Sequence, residues 1–386
     1  MRIAFLRLTK DLHDLASLQG DLKYRSTRQR NKESTYIMNN KNNFKALILI
    51  VSILFALGAF FLFKKYSSHQ NDASSLPLVC ISQIIEHESL DEERRALIRA
   101  LAENGYIDGQ TIKIIYSNAQ GNVATAAQIA QMQASKNPAV MVAISTPSAQ
   151  AALSVAARQK IPLVFTAVTD PKQARLVQTE VKDHQHLIAG VSDGLPVDVQ
   201  INLMRTFLPD LKTVGVIYNS GEINSVGIVN KLKTALAALN ITVIQASAGK
   251  TSEIVGATQS LIGRVDAIYV PNDNTAVSAM NSIVQIADKV KLPVFTGDTG
   301  SVQKGAFATC GYDRAMLGQK AGKLVSRILR GETMSHTILG KHPFQIYINE
   351  KTRDLLGFKI PESIARDIVI VRQTDIKTES NQHKSK

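Results

Sequence analysis

Short runs rich in Val and Ile alternate with longer stretches of helical period through most of this chain, which is the pattern of parallel α/β sheets. The runs predict strands at Leu78–Ser82, Ile112–Tyr116, Val140–Ile144, Leu163–Thr166, Val214–Tyr218, Thr242–Gln245, Ala267–Val270 and Val294–Thr296. Helices fill the gaps. Asp91–Asn104, for example, sets Leu97 and Leu101 at helical spacing and stops at Gly105. The order repeats. Pro138-Ala-Val-Met-Val-Ala-Ile-Ser-Thr-Pro, followed by Lys160-Ile-Pro-Leu-Val-Phe-Thr, returns about 130 residues later as Val265-Asp-Ala-Ile-Tyr-Val-Pro-Asn-Asp-Asn-Thr, followed by Lys291-Leu-Pro-Val-Phe-Thr. A repeat of that length is one α/β lobe, so the chain reads as two similar lobes with a crevice between them.

The first lobe is expected over 77–194 plus 299–332, and the second over 195–298 plus 333–370. Leu195-Pro196 reads as a crossing between them, because proline restricts the backbone on both sides of the joint. The strand Ala306–Cys310 and the helix Arg314–Leu329 are assigned to the first lobe, the strand Phe344–Ile348 and the helix Glu350–Leu356 to the second. Residues 371–386 are polar and read as a tail without fixed structure.

A different pattern precedes the lobes. Ala46–Phe63 is an 18-residue run without charge, long enough as a helix for roughly 27 Å of hydrocarbon. Arg28, Arg30, Lys32, Lys41 and Lys45 lie before it and Lys64 and Lys65 after it, so the positive-inside bias puts the N-terminus in the cytoplasm and the lobes outside the cytoplasmic membrane. No A-x-A follows the run, nor a cysteine to take a lipid, so an uncleaved transmembrane anchor is expected over 46–63. It separates a cytoplasmic extension, 1–45, from a linker, 64–76. Met38 opens a conventional short basic segment, and translation starting there would remove the extension's first 37 residues.

The formal charge of +13 suggests a nucleic-acid partner, yet the first 67 residues hold 12 Lys and Arg against 4 Asp and Glu. Most of the excess is therefore at the membrane end, and the rest shows no basic helix or aromatic-basic interleaving. With 45% hydrophobic and 20% charged residues, the chain has ordinary globular composition. Its two cysteines, Cys80 and Cys310, sit in apolar runs and read as buried thiols, with neither disulfide nor zinc spacing. G-x-S-x-G, HExxH, Walker and G-x-G-x-x-G motifs are missing, so neither catalysis nor a cofactor is expected.

In open parallel sheets ligands bind beyond the carboxyl ends of the strands. That rule selects the loops holding His87, Thr146 and Ser148, Thr169, and Asp193 in the first lobe. In the second it selects Tyr218, Asn219, Glu222, Asn224 and Ser225, then Asp273 and Asn274, then Asp298. The Thr146 and Ser148 hydroxyls and the helix N-terminus beside them suit a ligand carboxylate, and Asp273 or Asp298 suits an ammonium. Plain helix capping explains each of the four equally well.

The motifs Ser82-Gln-Ile-Ile-Glu-His-Glu-Ser-Leu-Asp91, Thr146-Pro-Ser-Ala-Gln-Ala-Ala152, Val164-Phe-Thr-Ala-Val-Thr-Asp-Pro171, Gly190-Val-Ser-Asp193, Gly215-Val-Ile-Tyr-Asn-Ser-Gly-Glu-Ile-Asn-Ser225 and Tyr269-Val-Pro-Asn-Asp-Asn-Thr275 together resemble a family of ABC-transporter substrate-binding proteins. Its members include tryptophan- and tyrosine-binding importer components. The resemblance spans roughly residues 77 to 360. It implies a periplasmic-binding-protein type I fold with three crossings between the lobes, a small-molecule ligand such as an amino acid, permease and ATPase partners, and no catalysis. The retained helix and the N-terminal extension depart from the family pattern. The same clamp on a membrane helix also suits a sensor that reports its ligand to a signalling protein. A DNA-binding repressor of this lobe design is excluded, because residues 1–45 supply no helix-turn-helix.

Overall fold

The structure, a computed structural model, describes residues 76–177, 187–332, 338–339, 343–366 and 368–372. The extension, the Ala46–Phe63 run, the linker up to Ser75 and the tail from 373 lie outside these residues. Among the described residues no helix is long and apolar enough to cross a membrane.

The chain opens on β1 (Leu78–Gln83), α1 (Glu88–Glu103), β2 (Lys113–Asn118), α2 (Val123–Ala134), β3 (Val140–Ile144), α3 (Thr146–Gln159), β4 (Leu163–Val168) and β5 (Ile188–Ser192). These strands form one parallel sheet. β3 and β4 are buried along their whole length, as a parallel strand covered by helices on both faces must be. Alternate residues serve opposite layers: Val140, Val142 and Ile144 pack with α1, while Met141 and Ala143 pack with α2 and α3.

The second lobe follows: α4 (Val197–Phe207), β6 (Thr213–Tyr218), α5 (Ile223–Ala237), β7 (Thr242–Ser247), α6 (Ile254–Gln259), β8 (Ala267–Val270), α7 (Asn274–Ser278), α8 (Met280–Asp288), β9 (Val294–Thr296), α9 (Gly300–Gln303) and β10 (Ala308–Gly311). Its core holds a knot of aromatic rings in which Phe307 meets Phe207, Phe295 and Phe358 at centroid distances of 4.8, 5.3 and 4.9 Å. Leu195 packs into the first lobe's core and Val197 into the second's, which places a crossing at Pro196.

The chain then returns through α10 (Arg314–Leu329) and β11 (Ile338–Leu339) to the first lobe, and ends in the second with β12 (Gln345–Asn349), α11 (Glu350–Leu356) and β13 (Ile368–Val371). The strand orders are β11-β5-β4-β3-β1-β2 and β13-β12-β10-β9-β8-β6-β7. The second sheet is parallel except for the antiparallel pair β10 and β12.

Two expected assignments are corrected. β10 belongs to the second sheet, not the first: Ala308 pairs with Phe295 of β9 and Ile348 of β12. The one-turn helix α9 is too short to carry the chain elsewhere, and the change of lobe comes after Gly311. β11 belongs to the first sheet, where Ile338 pairs with Gly190, although residues from 333 on were expected in the second. The crossings are thus three, after β5, after β10 and after β11.

The first lobe's tightest contact lies between α10 and α1. A Cβ on Gly318 would sit 2.1 Å from the Glu93 carbonyl oxygen, and one on Gly322 would sit 2.6 Å from that of Leu97. Both obstacles are backbone, so neither can swing aside. Arg314, Gly318 and Gly322 are four residues apart and share one helix face, as do Glu93 and Leu97. Gly318→Ala should therefore cost about 1–3 kcal/mol or more by overpacking. Gly256→Ala, in α6 with no atom within 4 Å of the new methyl, should be neutral or stabilising by up to about 1 kcal/mol. Thermal melts of the two variants test this reading of the helix seam, and equal melting temperatures would contradict it.

Candidate ligand-binding cleft

The carboxyl ends of both sets of strands face one cleft, whose walls include His87, Leu90, Thr146, Ala167, Thr169, Asp193 and Arg314 from the first lobe and Asn224, Asn272, Asp273, Asn274, Val277 and Asp298 from the second. Eight of the thirteen residues selected from sequence are among them.

On the first lobe's side β3 hands over to α3 through Ser145, whose φ of 87° and ψ of 157° lie in a region nearly reserved for glycine. Ala167, at the β-bulge between β4 and β5, also has positive φ, at 53°. Such backbone costs of order 1–3 kcal/mol per residue and persists where its surroundings enforce it. The Oγ atoms of Ser145 and Ser148 and the Oγ1 of Thr146 are buried and have no hydrogen-bond partner among the described residues. None of the three caps α3, and Pro147 brings no N–H to its first turn. The helix therefore presents its positive end and three uncommitted hydroxyls. Thr146 lines the cleft, while Ser148 stands in the same turn.

The second lobe's acidic residues divide between framework and site. Asp273 caps α7, its Oδ1 accepting from Ala276 N at 2.8 Å, and its Oδ2 accepts from Asn219 N at 2.7 Å. Glu222 takes Asn274 Nδ2 at 2.5 Å, Asn274 N at 3.1 Å and Thr275 N at 3.2 Å. It fastens the loop after β8 to the start of α5, and is not among the residues that line the cleft. Burial, with Asp273 nearby, pushes its carboxyl up to about 7. Asn219 donates to Thr275 Oγ1, and the Tyr218 hydroxyl donates to Gln245, away from the cleft. Ser225 hydrogen-bonds Asp273. Tyr218, Asn219, Glu222 and Ser225 thus hold loops in place.

Asp298 is likewise committed. Its Oδ2 accepts from Ser301 N at 2.9 Å and Ser301 Oγ at 2.8 Å, and its Oδ1 lies 3.3 Å from Arg314 Nη2. Burial opposes its ionisation, but Arg314 outweighs burial and holds the carboxyl below the usual range. Neither Asp273 nor Asp298 is left to receive an ammonium.

Asp193 is the acid with an oxygen to spare. Its Oδ2 takes Arg314 Nη1 at 2.8 Å and Asn272 Nδ2 at 3.2 Å, while its buried Oδ1 has no partner among the described residues. The Oδ1 atoms of Asn224 and Asn272 are equally unmatched. Their amide orientations follow from what the NH2 groups touch: Asn224 Nδ2 donates to Asn272 O at 2.8 Å, and Asn272 Nδ2 to Asp193.

Sequence reasoning missed Asn272 and Arg314. Asn272 stood inside a loop already selected, one place before Asp273. Arg314 was hidden by the misplacement of β10, which removed the loop after that strand from the crevice. It is the one buried Lys or Arg among the described residues. Burial alone would lower its pKa, but Asp193, Asp298 and Glu93 raise it above the ordinary value. Glu93, whose Oε2 is 3.5 Å from Arg314 Nη1, also accepts from Thr166 Oγ1.

The two lobes touch. Asn272 reaches Asp193, Asp298 reaches Arg314, Gly300 N donates to Ser89 Oγ at 3.1 Å, and Lys231 Nζ on α5 meets Asp170 Oδ2 at 3.0 Å.

The sequence pattern described as ABC transporter substrate binding protein matches residues 78–369. The chain belongs to this family. It is 39% identical over 291 residues to the tyrosine-binding protein of Clostridioides difficile (strain R20291), covering 75% of this chain and 84% of that one. A domain from Streptococcus pneumoniae solved in complex with L-Trp aligns with a TM-score of 0.72 at 31% identity, over 77% of this chain and all of the other. A ligand-free, open substrate-binding protein from Clostridium difficile, with adhesive properties, aligns with a TM-score of 0.58 at 35% identity, over 77% and 99%. The higher structural score with the complex, at the lower identity, accords with lobes in contact. The paired sheets and their crossings are those of a type I periplasmic-binding-protein architecture, and the family is one of solute-binding proteins.

Two buried groups give the cleft a pH signature. Burial raises Glu93 from 4.5 to about 7, so its contribution to stability is whole below about pH 4.5 and is lost as the pH rises through about 7. Burial lowers His87 from 6.5 to about 4, so its contribution is whole above about pH 6.5 and is lost as the pH falls towards 4. The two slopes oppose each other between them. Glu93→Gln should remove the first, so its stability relative to the wild type should climb from pH 4.5 to pH 7. Urea midpoints across that range measure it, and a constant difference would contradict the assignment.

Proposed function

We propose that this protein is the extracytoplasmic solute-binding component of an ABC importer and that its two lobes close on an α-amino acid. The observation that carries the reading is the match between unmatched cleft atoms and the two ends of such a molecule. Asp193 Oδ1, Asn224 Oδ1 and Asn272 Oδ1 are three acceptors, one of them charged, and an ammonium has three N–H donors. Thr146 Oγ1 on the cleft wall, with the Ser145 and Ser148 hydroxyls beside it at the amino end of α3, supplies donors that suit a carboxylate. A buried polar atom without a partner costs about 1–3 kcal/mol, so a ligand that satisfies both sets is strongly preferred to one that satisfies either.

The ligand's side chain is left to the apolar part of the wall, Leu90, Ala167 and Val277. The tyrosine-binding relative and the L-Trp complex support an aromatic amino acid, L-tyrosine or L-tryptophan. The charge-free run Ala46–Phe63, with more basic residues before it than after it, supports a helical anchor in the cytoplasmic membrane with the lobes outside. Transfer to a permease, with ATP hydrolysed by a separate subunit, completes the function.

L-tryptophan or L-tyrosine should raise the melting temperature of the purified protein in a screen that also contains nucleosides and sugars. Shifts confined to nucleosides and sugars would remove the amino-acid reading. Asp193→Asn should weaken binding of the active amino acid by about thirtyfold or more, the range for loss of a buried charged partner, as read by calorimetric titration.

A further inference from the structure

We propose that Arg314 is a positioning residue for ligand capture: it aims Asp193 at the ligand's ammonium from within the first lobe and takes up Asp298 of the second lobe as the two close. The role rests on the amino-acid reading of the cleft.

Arg314 opens α10 just after the crossing that follows β10, and the Gly318 and Gly322 seam seats that helix on α1. Its side chain is 5% exposed with the lobes in contact. One Nη1 holds Asp193 Oδ2 at 2.8 Å, which leaves Oδ1 as the oxygen offered to the cleft. The other side of the guanidinium meets Asp298 Oδ1 at 3.3 Å. Asp193 belongs to the end of β5 and Asp298 to the loop after β9, so the fork of one arginine spans the two lobes. Its planar geometry suits two carboxylates at once, which an ammonium on a flexible stem does not match.

The count of charges ties this fork to the ligand. Within the first lobe Arg314 already balances Asp193, and Glu93 beside it, its carboxyl pushed up to about 7 by burial, adds at most part of a charge at neutral pH. Closure brings Asp298 to the same guanidinium and adds a negative charge to a buried site. A ligand ammonium on Asp193 Oδ1 supplies the compensating positive charge. Closure is then favoured with an ammonium in place and opposed without one, and a deaminated analogue of the same shape is rejected. Only a differential interaction of this kind lets a ligand shift the balance between open and closed forms.

The test uses wild type, Arg314→Lys, Arg314→Gln, Asp298→Asn and the Gln/Asn double variant, with L-tryptophan and L-tyrosine as probes. Arg314→Gln should lose about thirtyfold or more in affinity, chiefly through faster dissociation. Arg314→Lys, which keeps the charge but not the fork, should lose less. The double variant should bind within about threefold of Arg314→Gln alone, because removing the second partner of a broken pair costs little more. With L-tryptophan or L-tyrosine at saturation, small-angle scattering should show a compact closed particle for wild type and a more extended one for Arg314→Gln. Affinity of Arg314→Gln within about threefold of wild type, or losses that multiply in the double variant, would overturn the proposal. If Arg314→Gln does not fold, Arg314→Lys carries the test, and wild-type affinity and dissociation rate in that variant overturn it. If wild type binds neither amino acid, the ligand reading falls by itself, and stability then decides for Arg314: urea midpoints of Arg314→Gln, Asp193→Asn and their double variant that simply add overturn the positioning of Asp193.

Discussion

The placement of one guanidinium depends on two helices being allowed to touch. α10 approaches α1 so closely that the carbonyl oxygens of Glu93 and Leu97 occupy the space where Cβ atoms would stand on Gly318 and Gly322. Arg314 lies one helical turn before Gly318 on the same face, so the seam that joins the helices also lowers the arginine onto Glu93. From there its two ends reach Asp193 and Asp298. Burying such a cluster is costly in desolvation, and its attraction compensates only where geometry and additional hydrogen bonds are good. Here the additional bonds are present: Ser301 serves Asp298, Asn272 serves Asp193 and Thr166 serves Glu93. A buried ion cluster of this kind adds little net stability, but it fixes which way each carboxylate points.

That orientation separates framework acids from the acid of the site. Asp273 and Glu222 are as buried as Asp193, and by residue type alone the three are alike. The difference lies in what their neighbours donate. Asp273 is answered by the N–H groups of Ala276 and Asn219, and Glu222 by donors from Asn274, Thr275 and Asn224. Asp193, on the cleft wall, receives both of its donors on one oxygen, and the other has no partner among the described residues.

Much of the fold was legible because it repeats. The apolar runs at Val140 and Ala267, each followed by a polar loop and then by a second run beginning with a lysine, placed β3, β4, β8 and β9 and the loops at their carboxyl ends. Those loops hold Thr146, Thr169, Asn272, Asp273, Asn274 and Asp298, all of which line the cleft. The rest was hidden for physical reasons. A strand's membership of a sheet is decided by its partners, and Ala306–Cys310 carries no sign in its own composition that Phe295 and Ile348 flank Ala308. Without that, Arg314 reads as an ordinary basic residue at the start of a helix. Glu93 falls among charged residues on α1, and only the packing of α10 shows that it is buried. The Gly318 and Gly322 spacing becomes meaningful once its opposing helix is known. Capping was the alternative meaning of Thr146, Ser148, Asp273 and Asp298. It is the meaning realised by Asp273 on α7 and by Asp298 through Ser301, while the hydroxyls near Thr146 cap nothing.

The uncommitted hydroxyls lie where the backbone is least relaxed. Ser145 and Ala167 hold positive φ on neighbouring strand ends, joined by the bond from Ser145 N to Thr166 O at 2.9 Å. A residue held this way costs of order 1–3 kcal/mol, as does each buried polar atom without a partner. The backbone strain stays with the first lobe, but the unmatched atoms stand on the two walls of one cleft, and under the proposed closure their cost belongs to the closed arrangement more than to separated lobes, where water reaches them. A ligand that meets the hydroxyl end and the acceptor end removes both sets of penalties at once. One that meets a single end leaves the other set buried and unmet, and this asymmetry is how a polar site rejects near analogues more strongly than an apolar pocket can. Under the proposed function, the selectivity of the clamp follows from the same unmatched atoms that make its closed form expensive without the right solute.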